Sequence, residues 1–165
     1  MSTKAGMDLA AVLHQRADEI VAACAGLADD ATARRPAAGV WCVREHLSHL
    51  HGQDRDTYLH SIERVVFEGV RELDIPSGVT HYSVDRRDYP FVALVAAVSE
   101  QYRAIGDLAA ELDVDLLNEP VRIEQLRDTR FGPEPTLEQV LIAIADSHLP
   151  QHIAAISETR TALGA

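Results

Sequence analysis

Apolar residues recur at spacings of three and four along four stretches of the 165-residue chain, the pattern of amphipathic helices. The first stretch, about residues 8–27, repeats Leu9, Val12, Leu13, Ala17, Ile20, Val21 and Cys24. The second opens at Trp41 or Val43 and runs to Glu68, before Gly69, with Val43, Leu47, Leu50, Tyr58, Ile62 and Val65 on one stripe. A third, residues 90–112, starts on a proline suited to a first helical turn and carries the seam Leu94, Val95, Val98, Tyr102, Ile105, Leu108 and Leu112. Asp88 is the expected N-terminal cap of that helix. The fourth, residues 136–163, begins on Thr136 with Gln139 three positions on, a capping-box pattern, and stops at Gly164. Pro150 falls inside it and predicts a kink or a freed carbonyl.

Two connections are long, residues 71–89 and 113–135. Loops of that length are unusual in a compact domain and often carry function. The second contains Pro120-Val121-Arg122-Ile123 and Thr129-Arg130-Phe131-Gly132-Pro133, which predicts a short hairpin or extended pair between the third and fourth helices. No repeat, low-complexity tract or linker divides the chain, so residues 1–165 read as one domain. The expected fold is all-α: a four-helix bundle with long crossover connections, an architecture that builds sites from facing helices.

Composition narrows the function. Hydrophobic residues make up 47% and charged residues 25%, as in an ordinary soluble domain, and the low aromatic content of 5% suits a helical one. A net charge of −11 with no basic stripe argues against nucleic acid as a partner. No signal-peptide pattern opens the chain and no apolar run approaches a membrane span, so the expected location is the cytoplasm, with no membrane association. Cys24 and Cys42 form neither a CxxC motif nor a disulfide framework. Cys24 reads as a core residue. Cys42, beside Trp41 at a helix start, is expected to have a thiol pKa lowered by the helix dipole.

The chemistry lies in the histidines. His148 and His152, one helical turn apart, fall on the arc of Leu137, Leu141, Ile144, Ala145, Ala155 and Ile156. Imidazoles on an apolar face lose hydration unless their nitrogens are satisfied, and a metal ion can bind two at once. The alternative is a pair of hydrogen-bonded core histidines in a chain that has eight. The second helix holds His46, His49, His51 and His60, and periodicity does not choose among them. His49 shares a polar stripe with Glu45, Gln53, Asp56 and His60, which reads equally well as a solvated helix face.

The segment Trp41-Cys42-Val43-Arg44-Glu45-His46-Leu47-Ser48-His49-Leu50 resembles the opening of the second helix in the DinB/YfiT-like family, Trp-Ser/Thr-x-Lys/Arg-Glu-x-Leu-x-His-Leu. The last helix is similar too, with its Thr136-Leu137 start and its His148-x-x-x-His152 pair. Cys42 departs from the family's Ser/Thr, and Ala154-Ala155 stands where Gln is often found. The resemblance implies a four-helix bundle with a divalent metal, commonly zinc or nickel, held by His49, His148 and His152. His46, His51 and His60 are rivals or neighbours, His60 being the nearest to the same face.

Three imidazoles leave coordination positions open, as in catalytic rather than structural sites. Asp54, Asp56 and Asp146 are candidates to orient the rings, and Arg122, Arg127 and Arg130 to bind an anionic substrate, unless they are exposed loop arginines. The resemblance implies a thiol S-transferase that joins a low-molecular-weight thiol such as mycothiol, bacillithiol or glutathione to a small electrophilic substrate. A metal-dependent hydrolase is the second enzyme reading and needs a carboxylate base near the metal. A non-catalytic metal- or ligand-binding stress-response bundle is the third. Relatives are often homodimers, which makes a second copy a possible partner.

Overall fold

The computed structural model describes residues 3–76 and 78–165. Among these residues the chain is all-α, with no strand. In order, the helices are α1 (Lys4–Cys24), α2 (Asp29–Thr32), α3 (Val43–His51), α4 (Tyr58–Glu68), α5 (Val84–Asp88), α6 (Phe91–Glu111), α7 (Val114–Leu117), α8 (Leu137–Ala143) and α9 (Leu149–Leu163). A 3-10 turn spans Glu124–Leu126, and a π-helical turn, Ile144–His148, joins α8 to α9. No helix among the described residues is long and apolar enough to cross a membrane.

α1 starts four residues before its apolar repeat because Thr3 caps it, Oγ1 accepting the Gly6 N–H at 3.0 Å. It lies along α6 at close range. A Cβ on Gly6 would come within 2.4 Å of the Ala109 carbonyl oxygen, so the crossing is closed to any larger residue. α3 packs against α6, α9 against α1, and α3 and α9 against each other, and α4 packs on α6. The core between them is built from Leu13, Ile20, Leu47, Leu50, Val98, Ile105, Leu141, Leu149 and Ile156, all fully buried.

The expected second helix, 41–68, is two helices. The chain leaves α3 at Gly52, whose φ of 85° suits glycine, and α4 starts afresh where Thr57 Oγ1 accepts the His60 N–H at 3.2 Å. Asp88 does not cap α6: it is the last residue of α5, and α6 starts after Pro90 with no side-chain cap. The Thr136–Gln139 capping box forms in both directions, at 3.2 and 3.0 Å.

The expected hairpin between α6 and α8 is only half made. Val121 and Ile123 donate to the carbonyls of Pro135 and Pro133 at 2.8 Å each, but neither proline has an N–H to return. The other edge of the same segment pairs in parallel with residues 71–73, through Arg122 N–H to Arg71 O at 2.7 Å and Leu73 N–H to Arg122 O at 2.9 Å. Extended chain therefore ties the two long connections together without forming a regular strand.

Candidate metal centre

α3 is buried along its whole apolar and polar circumference from Val43 to Leu50, so its polar side chains need partners inside the protein. Arg44 donates to Thr32 Oγ1 at 2.9 Å, to Tyr89 O at 2.7 Å and to Asp29 at 2.8 Å. The Glu45 carboxylate accepts the Cys42 N–H at 2.8 Å and pairs with Arg35, which holds its carboxyl below the usual range despite burial. Cys42 occupies the N-cap position of α3. With α3 fixed in this way, His46 and His49 point at α9.

His49, His148 and His152 converge, each offering a ring nitrogen such that all three lie within 4.8 Å of one another. Their ring centroids are 4.7, 4.8 and 5.0 Å apart. His49 Nδ1 lies 2.7 Å from the Val79 carbonyl oxygen, which only accepts, so Nδ1 carries the proton and Nε2 keeps its lone pair. His152 Nδ1 is 2.9 Å from His46 Nδ1, so one of the two donates and the other accepts. His148 Nε2 is buried and has no hydrogen-bond partner; Ser48 Oγ is the other such atom among the described residues.

Burial is the main reason all of these rings are poor bases. It pushes His46 and His148 down to about 4 and His152 to about 3, and lowers His49 as well. At neutral pH the cluster is uncharged, so each ring keeps one nitrogen lone pair, the state a metal ligand needs. The donor set, the proton fixed on His49 and the orphaned nitrogen of His148 fit a divalent cation. Ring rotations would close the nitrogens to the separation of roughly 3.3 Å that tetrahedral bonds of about 2.0–2.1 Å require.

The expected defect at Pro150 takes a definite form. Pro150 cannot donate to the carbonyl of Asp146 and its ring crowds that oxygen. The helix widens just before it, and the Leu149 N–H bonds to Ile144 O, five residues back. Arg16 of α1 reaches into the widened turn and donates from Nε to Ala145 O at 2.9 Å. His148 ends this turn and His152 follows one turn into α9.

The histidines open onto a cavity of about 480 Å³, within the range of small-molecule sites. Both long connections wall it, the first with Ile75, Pro76 and Gly78, the second with Ile123, Gln125 and Leu126. Trp41 stacks over His152 at 6.0 Å and lies 5.3 Å from both His46 and His49, while Tyr58 closes the side at 6.1 Å from His148.

Several expected residues are elsewhere. Arg122 and Arg127 pair with Glu124, and Arg130 lies over Phe131 at 4.6 Å; none lines the cavity. Asp54 is engaged by the buried Arg86, and Asp56 and Asp146 are exposed, so no carboxylate meets the rings. His60 is exposed beside Glu63, and His51 Nδ1 accepts from Arg86 at 3.1 Å. The neighbour is His46 rather than His60. The Cys42 thiol is raised by burial, not lowered by the helix dipole. Cys24 is a buried core thiol, pushed up to about 12. The Val79 carbonyl had no signal in the sequence at all. Comparison with protein-family models, curated proteins and solved structures returns no match for this chain.

Proposed function

We propose that this chain is a DinB/YfiT-like four-helix bundle, with α1, α3–α4, α6 and α8–α9 as its helices, and that it binds a divalent metal, zinc or nickel, through His49, His148 and His152. The observation that carries the proposal is the convergence of three neutral imidazoles on the wall of a cavity, with His148 Nε2 buried and unpartnered. A metal bound by three neutral ligands with an open position lowers the pKa of a thiol or water beside it. The protein's own part is to hold the ligands: Val79 O fixes the His49 tautomer, His46 orients His152, and Trp41 and Tyr58 keep bulk water from the rings.

Of the reactions the resemblance implies, thiol transfer to a small electrophile fits better than hydrolysis. Hydrolysis calls for a carboxylate base near the metal, and none of the described lining residues is acidic. The test is elemental analysis of protein purified without chelator or nickel resin, beside His148→Ala. About one divalent metal per wild-type chain, lost in the variant, supports the site. Turnover of chlorodinitrobenzene with a panel of small thiols, gained on metal loading, supports the transferase. Metal-free protein that takes up neither zinc nor nickel on incubation overturns both.

A further inference from the structure

The chemistry of the cavity wall beyond the histidines restricts what can occupy it. No described lining residue, the neutral histidines included, is charged at neutral pH. The wall is Ile75, Ile123, Leu126, Val140, Ala143 and Ile144, with the faces of Trp41, Tyr58 and Tyr102. Its other polar groups are few and all uncharged. The Tyr102 hydroxyl donates to Leu50 O at 2.8 Å and the Gln125 amide nitrogen to Asp74 at 2.5 Å. The Trp41 indole N–H, the Tyr58 hydroxyl and the exposed Gln151 amide are neutral hydrogen-bonding groups on the wall. The nearby loop cations are occupied by Glu124. A charged group seated against this wall, away from the histidines, would lose its hydration and find no charged partner.

Resting on the metal reading above, we propose that the substrate seated in this cavity is an uncharged, predominantly apolar molecule that presents one polar end to His49, His148 and His152. A compound whose carboxylate or phosphate must lie against the wall, away from the histidines, is excluded. A bulky polar thiol reaches the histidines only with its sulfur, its remaining groups staying outside.

Two fluorescent probes with one skeleton test this: neutral N-phenyl-1-naphthylamine and its sulfonated counterpart, 1-anilinonaphthalene-8-sulfonate. Each is titrated into the chelator-treated and the zinc-loaded protein at about 0.5 M salt, which screens the acidic surface. The neutral probe is expected to bind one site per chain, roughly tenfold or more tighter than the sulfonate, in both forms. Ala143→Trp, its helix content checked by circular dichroism, fills the cavity and abolishes that binding. Gln151→Lys places a cation at the edge and brings the sulfonate closer to the neutral probe, a gain that misfolding would not mimic. Equal or tighter binding of the sulfonate by the wild type, or neutral-probe binding untouched by Ala143→Trp, overturns the inference. Zinc content is read in the same samples. Bound zinc without a preference for the neutral probe refutes the inference alone, whereas that preference without zinc refutes the metal reading and leaves the cavity's selectivity standing.

Discussion

Replacing His148 with leucine should change sign with the metal. In chelator-treated protein His148 Nε2 is a buried polar atom with no partner, sitting among the rings of His49, His152 and Tyr58. An unsatisfied buried group costs about 1–3 kcal/mol, and leucine fills similar space without that cost. His148→Leu is therefore expected to stabilise the metal-free protein by up to that amount. With zinc the order reverses. A ligand present at a thousandfold excess over its Kd stabilises the native state by about 4 kcal/mol, and a variant with two histidines instead of three gains little of this. Urea unfolding followed by circular dichroism at pH 7.5, with chelator and then with buffered zinc, reads both differences. The curves should cross: the variant is the more stable without metal and the wild type with it. A variant less stable by the same margin under both conditions would refute the reasoning, since His148 would then be a packed core residue.

Three further outcomes follow from the same geometry. The unfolded histidines titrate near pH 6.5, while native His46 and His148 titrate at about 4 and His152 at about 3. Between those values the unfolded chain binds more protons, so metal-free stability falls as pH drops from 7 to 5, by up to about 1.4 kcal/mol per unit per histidine; a urea midpoint flat across that window contradicts buried neutral rings. His46→Phe removes the hydrogen bond to His152 Nδ1 and should weaken zinc binding by about 10–100-fold in a chelator competition while leaving one site per chain, whereas unchanged affinity would show that His152 is oriented without it. Gly6→Ala forces a Cβ against the Ala109 carbonyl and should cost about 1–3 kcal/mol in thermal or urea unfolding, and a neutral result would mean that α1 and α6 can separate freely.

What could be read from the sequence follows from which interactions are local. α6 and the α8–α9 stretch bury one side each, so their period shows, and the Thr136–Gln139 box is complete within four residues. α3 hides its period because it is buried all round. The partners that make this tolerable, Asp29 and Tyr89 O for Arg44, Arg35 for Glu45 and His152 for His46, come from other parts of the chain. The preference for His60 as a neighbour carried one helical phase from Trp41 to Glu68. The turn at Gly52 resets that phase and sends His60 to the surface while His46 stays inside. The trio of His49, His148 and His152 came from resemblance, and its convergence depends on a helix pairing that no periodicity encodes. The half-made hairpin is explained by Pro133 and Pro135, whose missing donors were visible but whose partners were not.

The widened turn before Pro150 holds one residue more than an ordinary helical turn and keeps its two flanks in register. Asp146 and Ser147 lie in that turn and are exposed. Deleting either would let the turn tighten to regular α-helical spacing with Leu149 still bonded to Ile144 O, so the residues of α9 would keep the face they present to α3. The cost would fall on Pro150, whose ring would then crowd a carbonyl of an ordinary helical turn, at about 3 kcal/mol. In this stretch the extra residue makes room for the proline, so a single-residue deletion should destabilise the protein, and Pro150→Ala should relieve that cost.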